Sequence, residues 1–360
     1  MASNSLGNIL KFSSFGESHG SAIGGVLDGF PAGIEIDQNF VQQQIERRKP
    51  HSKKGGTERK EDDEVVWLSG LEDNKTTGAP IAFLIKNKNQ RQADYDSLKN
   101  VYRPSHADYT WQKKYGVRDF KGGGRASARE TVVRVVAGAL ALLMLKKYNI
   151  ELVAGVSQIG TIIANKDIID VSPDDIKQHD YGFIDDSRAE DIDRLISNLK
   201  ATGDTTGGIV KCVIRNVPAG LGEPVYHKLQ ADLAFAMMSI NSVKGFEYGE
   251  GFNAASMLGS EHNDEFEIRN NEIRTKTNHS GGIQGGISNG EAIYFSVAFK
   301  PLSSIRKSQQ TVNPDMEPEK IAISGRHDVC VVPRALPIVE SMAALVIADF
   351  LLWAKASSIS

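Results

Sequence analysis

The stretch GGGRASARETVVRVVAGALALLMLKKY, residues 122–148, decides the fold class. From Glu130 to Tyr148 alanine and leucine dominate and no proline intervenes, so this segment predicts the strongest helix of the chain. Arg134 is a charged exception near its start, four residues after Glu130 and four before Gly138. The flanks have another texture. Residues 8–12, 22–27, 34–36, 65–68 and 81–85 are short apolar or alternating runs bounded by Gly, Pro and polar residues, and predict strands. Between them Asp37 caps a helix that ends at Pro50, with Phe40, Val41 and Ile45 as its apolar face. Beyond the strong helix, 150–163 and 209–216 predict strands, while 185–199, 228–238 and 337–354 predict helices. Residues 281–299 return to a glycine-rich, strand-like texture, 321–323 adds a short strand, and 253–277 reads as a surface insertion or mobile lid. Strands on both sides of a buried helix make a mixed α/β fold. With no linker long enough to cut the chain and no exact short repeat, one unit over 1–360 is expected.

At 360 residues and 39.2 kDa the chain can bury a sizeable core without a metal or disulfide staple. Cys212 and Cys330 cannot make a disulfide framework and fit a reducing compartment. Lys and Arg number 42 against 45 Asp and Glu, a formal charge of -3 that excludes a globally basic nucleic-acid binder and leaves only local patches for a polyanion. The first twenty residues lack the basic start and continuous apolar core of a secretory signal. The apolar runs at 135–145 and 342–354 fall short of the roughly 20 residues that cross a bilayer. A cytoplasmic protein without membrane contact is therefore expected.

The eight histidines include no HExxH and no close Cys/His array, so no metal is expected. GESHG at 16–20 has the G-x-S-x-G spacing of a hydrolase nucleophile elbow, with Ser18 central and followed at once by His19, but the spacing alone does not make an esterase and that reading is not adopted. Glycine clusters at 16–29, 122–124, 203–222 and 281–290 suit loops that wrap a ligand, and equally tight hairpins. Arg47, Arg48, Lys49, Lys53, Lys54, Arg59 and Lys60 either hold an anion or form a solvated loop balanced by the acids at 61–64. A second basic group is more pointed: Arg103, His106, Arg118, Lys121, Arg125, Arg129 and Arg134 surround aromatics and a triple-glycine turn that enters the strong helix. Phosphate contact and stacking would also serve nucleic acid there. The balanced net charge and the separate glycine-rich regions favour a compact anionic small molecule.

FGESHGSAIGGVLDGFPAG from Phe15, RPSHADYTWQKKYG from Arg103, GGGRASARETVVRVVAGA from Gly122, GGIQGGISNG from Gly281, KPLSSI from Lys300 and GRHDVCVVPRALPIVE from Gly325 occur in this order. Through them nearly the whole chain resembles the chorismate synthase family. The resemblance implies a β-α-α-β layered sandwich with internal pseudo-symmetry, assembled as a homotetramer, a dimer of dimers. It implies a lyase of the shikimate pathway, in aromatic amino acid biosynthesis. The reaction would be anti-1,4-elimination of phosphate and the C6 pro-R hydrogen from 5-enolpyruvylshikimate 3-phosphate, with reduced FMN required and no net redox change. By the same resemblance His19, His106 and Asp328 are catalytic, and Arg48, Arg129, Arg134 and Arg326 face the substrate's phosphate and carboxylates. Arg125, Ala126, Ser127, Asn241, Ser242, Gly285, Lys300, Pro301, Leu302, Ser303, Ser304 and Arg326 would hold FMN. Arg47 reads as a helix-end solvent contact.

Three positions depart from the family pattern. His51 stands for a glycine, Lys54 for a common arginine and Ser242 for a common alanine. Lys54 keeps charge without the bidentate fork, which weakens a pyridine-nucleotide contact assigned to Arg48 and Lys54. NADPH enters only as a reductant, and an external flavin reductase is the preferred source of electrons. Two other classes compete: an FMN oxidoreductase that consumes reducing equivalents, and a nucleic-acid module built on 103–134.

Overall fold

The computed structural model describes residues 4–49, 63–87, 99–119, 123–177, 179–323 and 328–357. In the first half β1 (Ser5–Leu6), β2 (Lys11–Gly16), β3 (Ala22–Asp28), α1 (Gln38–Arg48), β4 (Val65–Ser69) and β5 (Ile81–Lys86) precede α2 (Asp108–Tyr115) and α3 (Thr131–Lys146). The strands form an antiparallel sheet in the order β1-β2-β3-β5-β4. The second half runs through β6 (Glu151–Ile159), β7 (Ile162–Ile163), α4 (Ala189–Thr202), β8 (Gly208–Arg215), α5 (Leu229–Met238) and β9 (Val243–Tyr248). Two hairpins follow, β10 (Phe266–Arg269) with β11 (Glu272–Thr275) and β12 (Ile283–Gln284) with β13 (Ile287–Ser288). The chain closes with β14 (Ile293–Phe299), β15 (Gln309–Val312), β16 (Pro318–Ile321) and α6 (Val332–Ser357). A second antiparallel sheet has the order β9-β14-β8-β6-β7.

Residue alternation gives each sheet one apolar face. Ile81, Phe83 and Ile85 of β5 are buried, as are Ile293, Phe295, Val297 and Phe299 of β14. From Thr131 to Ala141 every residue of α3 except Arg134 is buried. A helix apolar nearly all round must be covered on opposite sides. The first sheet packs on α3, the second on α6, and the two helices pack on each other, which gives the expected β-α-α-β layering. Each half supplies one five-stranded sheet and one of the two central helices, and the pseudo-symmetry holds at that level. One buried hydrophobic cluster runs through both halves.

α1 forms where its cap predicts, with the Asp37 carboxylate accepting the Phe40 N–H at 3.0 Å. Other boundaries move for local reasons. Residues 8–10 are no strand, because the Asn8, Ile9 and Leu10 amides turn to donate to the buried Asp349 carboxylate at 2.7–2.8 Å. Residues 34–36 make only an isolated bridge from Glu35 to Lys75. Helix α2 was not expected. α6 begins at Val332 rather than Pro337: Pro333 is tolerated in a first turn, and Pro337 costs one hydrogen bond without ending the helix. At 26 residues α6 is long and apolar enough to cross a bilayer, but 94% of its apolar window is buried within the protein. The surface insertion expected at 253–277 contains the β10–β11 hairpin, and Leu258, Phe266, Ile268 and Ile273 are exposed there.

Candidate active site

Five loops meet where α3 begins. After β2 the GESHG turn approaches the α3 entry, with Ser18 N–H donating to the Gly124 carbonyl at 3.4 Å and Ser18 Oγ 3.0 Å from His19 Nδ1. Asn87, just past β5, holds this turn from the other side: its Nδ2 donates to the Glu17 and Gly20 carbonyls at 3.0 and 2.8 Å. Asn87 Oδ1 accepts Arg129 Nε–H at 3.3 Å, and Arg129 pairs with buried Asp63 at 2.7 Å. His19 and Arg129 are thus linked through one asparagine.

The α3 entry is two short 3₁₀ turns, Gly124–Ala126 and Ala128–Glu130. Gly123 and Gly124 have φ of 88° and 52°, the left-handed region, so the triple glycine is a turn that L side chains would strain. Arg48 reaches in from the end of α1 and is buried, donating to Thr131 Oγ1 and the Ala128 carbonyl, both at 2.9 Å. Arg125 folds back on β2, donating to Ser14 Oγ at 2.8 Å and the Gly16 carbonyl at 3.2 Å. Ser14 Oγ donates to Glu130 at 3.1 Å, and Glu130 accepts Arg134 Nε–H at 2.9 Å. Arg134 also donates to Ser239 Oγ at 2.7 Å. Ser127 Oγ caps its turn by accepting the Arg129 N–H at 3.4 Å.

The third side comes from the second half. Asn241 Nδ2 donates to the Ala126 carbonyl at 3.0 Å, while Asn241 Oδ1 is buried with no hydrogen-bond partner among the described residues. Ser242 takes a left-handed φ of 72°, and its carbonyl accepts Lys300 N–H at 2.9 Å. In KPLSS, Lys300 Nζ donates to Ser303 Oγ at 2.5 Å and Ser105 Oγ at 3.3 Å, and meets no carboxylate among the described residues. Burial, then the Lys244 charge, lowers the Lys300 pKa from its ordinary value. Pro301 leads to Leu302, whose carbonyl accepts Thr205 Oγ1–H at 2.6 Å. Ser304 Oγ lies 3.2 Å from His106 Nε2, and His106 Nδ1 lies 3.0 Å from the Pro104 carbonyl. A carbonyl only accepts, so Nδ1 carries the hydrogen and Nε2 of the neutral ring accepts from Ser304. Burial, then the Arg103 charge, pushes the His106 pKa below its usual value; the Pro104 bond and Asp108 oppose this, and Lys300 adds to it.

Asp328 is buried and paired with Arg334, whose Nε–H donates to the Arg48 carbonyl at 3.0 Å. The proposed acid is therefore tied to the turn that carries Arg48. Arg326, Lys54 and His51 lie outside the described residues. Gly285 stands apart. With Gly286 it makes the two-residue turn of the β12–β13 hairpin, both at positive φ. That hairpin is bonded to the N-terminal end of α5 through Leu229 N–H and the Gly286 carbonyl at 2.8 Å, whereas Asn241 follows its other end. Ten residues of helix, about 15 Å, separate the two.

Arg47 is no solvent contact. Its NH1 and NH2 groups hold Glu340 of α6 at 2.5 and 3.0 Å, a partner 293 residues away that no local spacing reveals. Asn87, Asp108, Glu130, Ser239 and Arg334 also escaped sequence reasoning, because each acts by holding another side chain. Their only sequence signal is that most lie in or beside the quoted motifs.

Among the described residues the resulting surface has a partly buried ammonium that meets no acid, a buried acceptor without a donor, two serine hydroxyls and a neutral histidine. It can bind an anion and move a proton at His106 Nε2.

Comparison with known proteins agrees. The family model described as chorismate synthase matches residues 10–352. The chain is 55% identical over 352 residues to a chorismate synthase of Parabacteroides distasonis, covering 98% of each protein. It is 54% identical over 359 residues to that of Christiangramia forsetii, covering 100% of each. A crystal structure of chorismate synthase superposes with a TM-score of 0.77 at 28% identity, covering 96% of this chain and 92% of the other.

Proposed function

The chain belongs to the chorismate synthase family, and we propose that its reaction is the anti-1,4-elimination of phosphate and the C6 pro-R hydrogen from 5-enolpyruvylshikimate 3-phosphate, with reduced FMN required. Chorismate synthase function makes it a lyase of aromatic amino acid biosynthesis, in the shikimate pathway. The observation that carries the reading is the chain of contacts that links the 16–20, 123–131, 239–242, 300–304 and 103–108 segments, in which Asn241 bonds the α3 entry and Lys300 bonds Ser105.

The residues present fit FMN on two counts. Among the described residues Lys300 is a cation without an acid, suited to a phosphate, and Asn241 Oδ1 lacks a donor that a polar ring edge could supply. Arg125, Ala126, Ser127, Asn241, Ser242, Lys300, Pro301, Leu302, Ser303, Ser304 and Arg326 would hold it, and Gly285, at the other end of α5, is left out of this set. When bound, reduced FMN supplies electron density to a substrate whose C6–H bond is not activated, and returns unchanged.

Arg129, Arg134 and Arg326 would meet the phosphate and carboxylates, with Arg48 acting from behind through the turn at 128–131. His19 and His106 would donate or shuttle protons beside the charge that develops. Asp328 would accept or position a proton beside the flavin, helping the flavin take the departing C6 proton. The buried position of Arg48 supports an external flavin reductase over NADPH bound at Arg48 and Lys54. A single domain, a cytoplasmic location and a homotetramer arranged as a dimer of dimers belong to the same proposal. Exposed Ile268 and Ile273 on a hairpin that forms its own two-stranded sheet support assembly.

The test is anaerobic phosphate release from 5-enolpyruvylshikimate 3-phosphate with prereduced FMN. Turnover without net flavin consumption is expected. Equal release with oxidised FMN and no reductant would sink the mechanism, and stoichiometric flavin oxidation would favour the oxidoreductase class.

A further inference from the structure

We infer that Asp108 is a positioning residue for His106: by neutralising Arg103 and fixing the 103–108 turn, it keeps His106 Nε2 on Ser304 and able to take a proton. The inference rests on the reading of His106 given above.

Asp108 opens α2 and is 5% exposed. Its carboxylate accepts three bonds from Arg103: the backbone N–H at 3.0 Å, and Nε–H and NH2 at 2.8 Å each. Arg118 approaches the same carboxylate at 3.7 Å. Arg118 is itself fixed, donating to the Lys99 and Val101 carbonyls at 2.6 and 3.1 Å and lying over the Tyr102 ring at 5.3 Å. Burial alone would raise the Asp108 pKa, but the Arg103 bonds and charge, helped by Arg118, hold it below the ordinary value. A carboxylate so held remains charged at neutral pH.

His106 sits inside this closed turn. Its N–H donates to the Arg103 carbonyl at 3.2 Å, and Ser105 takes a left-handed φ of 60° to allow the reversal. The charged groups facing the ring are Arg103 and Asp108 from the same segment and Lys300 from the KPLSS turn. Two of the three are cations, both opposing protonation of Nε2. Among the described residues Asp108 supplies the negative charge that counters them, so its removal would expose the ring to Arg103 and Lys300 together.

The effect is readable without turnover. Histidine-labelled, ligand-free protein would be titrated by NMR, with the His106 signal assigned from its loss in His106→Gln. Asp108→Asn is expected to move the His106 midpoint to lower pH, and Arg103→Gln to move it to higher pH. In the phosphate-release assay Asp108→Asn should lower kcat about tenfold near neutral pH, less than the roughly 10²- to 10⁴-fold cost of losing an acid–base group. Its pH limb should follow the NMR midpoint, while KM changes little. Should Asp108→Asn fail to fold, Arg103→Gln alone carries the test. A His106 midpoint unmoved in either folded variant overturns the inference. A midpoint that moves while the kcat profile stays fixed supports the electrostatic role of Asp108 and removes His106 from the reacting groups.

Discussion

Lys300 shows how a single side chain can be read twice. Its ammonium is partly buried and among the described residues has only hydroxyl partners, a net cost to the fold. With a bound anion the same charge becomes an asset. Lys300→Met should therefore leave the melting temperature of the ligand-free protein unchanged or higher, and weaken FMN binding roughly ten- to a hundredfold, as for loss of a hydrogen bond to a charged group. Thermal melts and FMN titrations check both halves; a destabilised variant with unaltered FMN affinity would make Lys300 structural. At this scale the motifs made His106, Lys300 and Asp328 legible, because histidine, lysine and aspartate in fixed surroundings announce chemistry. Asn87 and Arg334 were not legible. Their work is to hold Arg129 and Asp328, and holding leaves no composition of its own.

Within the elements, α3 was legible because apolar residues fill both of its faces, but the same text concealed why a glycine sits in its middle. Gly in a helix interior costs about 1 kcal/mol relative to Ala. The reason lies on α6: a Cβ at Gly138 would fall 2.1 Å from Ser341 Cβ and 2.4 Å from its Cα. The two central helices cross backbone against side-chain root at this point. Gly138→Ala gains helix propensity yet should lose about 1–3 kcal/mol to overpacking, since backbone cannot swing aside. Urea midpoints report the balance, and Ser341→Gly in the same chain should recover part of the loss; a midpoint above wild type would mean the helices separate freely. The start of α6 was misread for a related reason. Its prolines look like breakers until the helix is seen to begin one residue before the first of them.

Across the whole molecule the mixed α/β character was legible in the residues and the pseudo-symmetric layering only through the family resemblance, whereas the contact that joins the two halves was not legible. Glu340 of α6 is 5% exposed and accepts from Arg47 of α1 and from the Ala154 N–H of β6 at 3.0 Å. One carboxylate thus touches an element of the first half, a strand of the second and the helix between the layers. Removing one member of a buried ion pair costs about 3–5 kcal/mol, because the partner is left charged and unpaired. Arg47 keeps 35% of its side chain exposed, so water can solvate part of it and the loss should fall near the lower end of that range. Glu340→Gln preserves an acceptor for Ala154 while ending the charge pairing. It should lower the urea midpoint in one transition seen alike by tryptophan fluorescence and circular dichroism, since the core is shared. Arg47→Met added to Glu340→Gln removes the stranded cation and should restore part of the stability. Two separate transitions in Glu340→Gln would instead show that the halves unfold independently and that the carboxylate does not couple them.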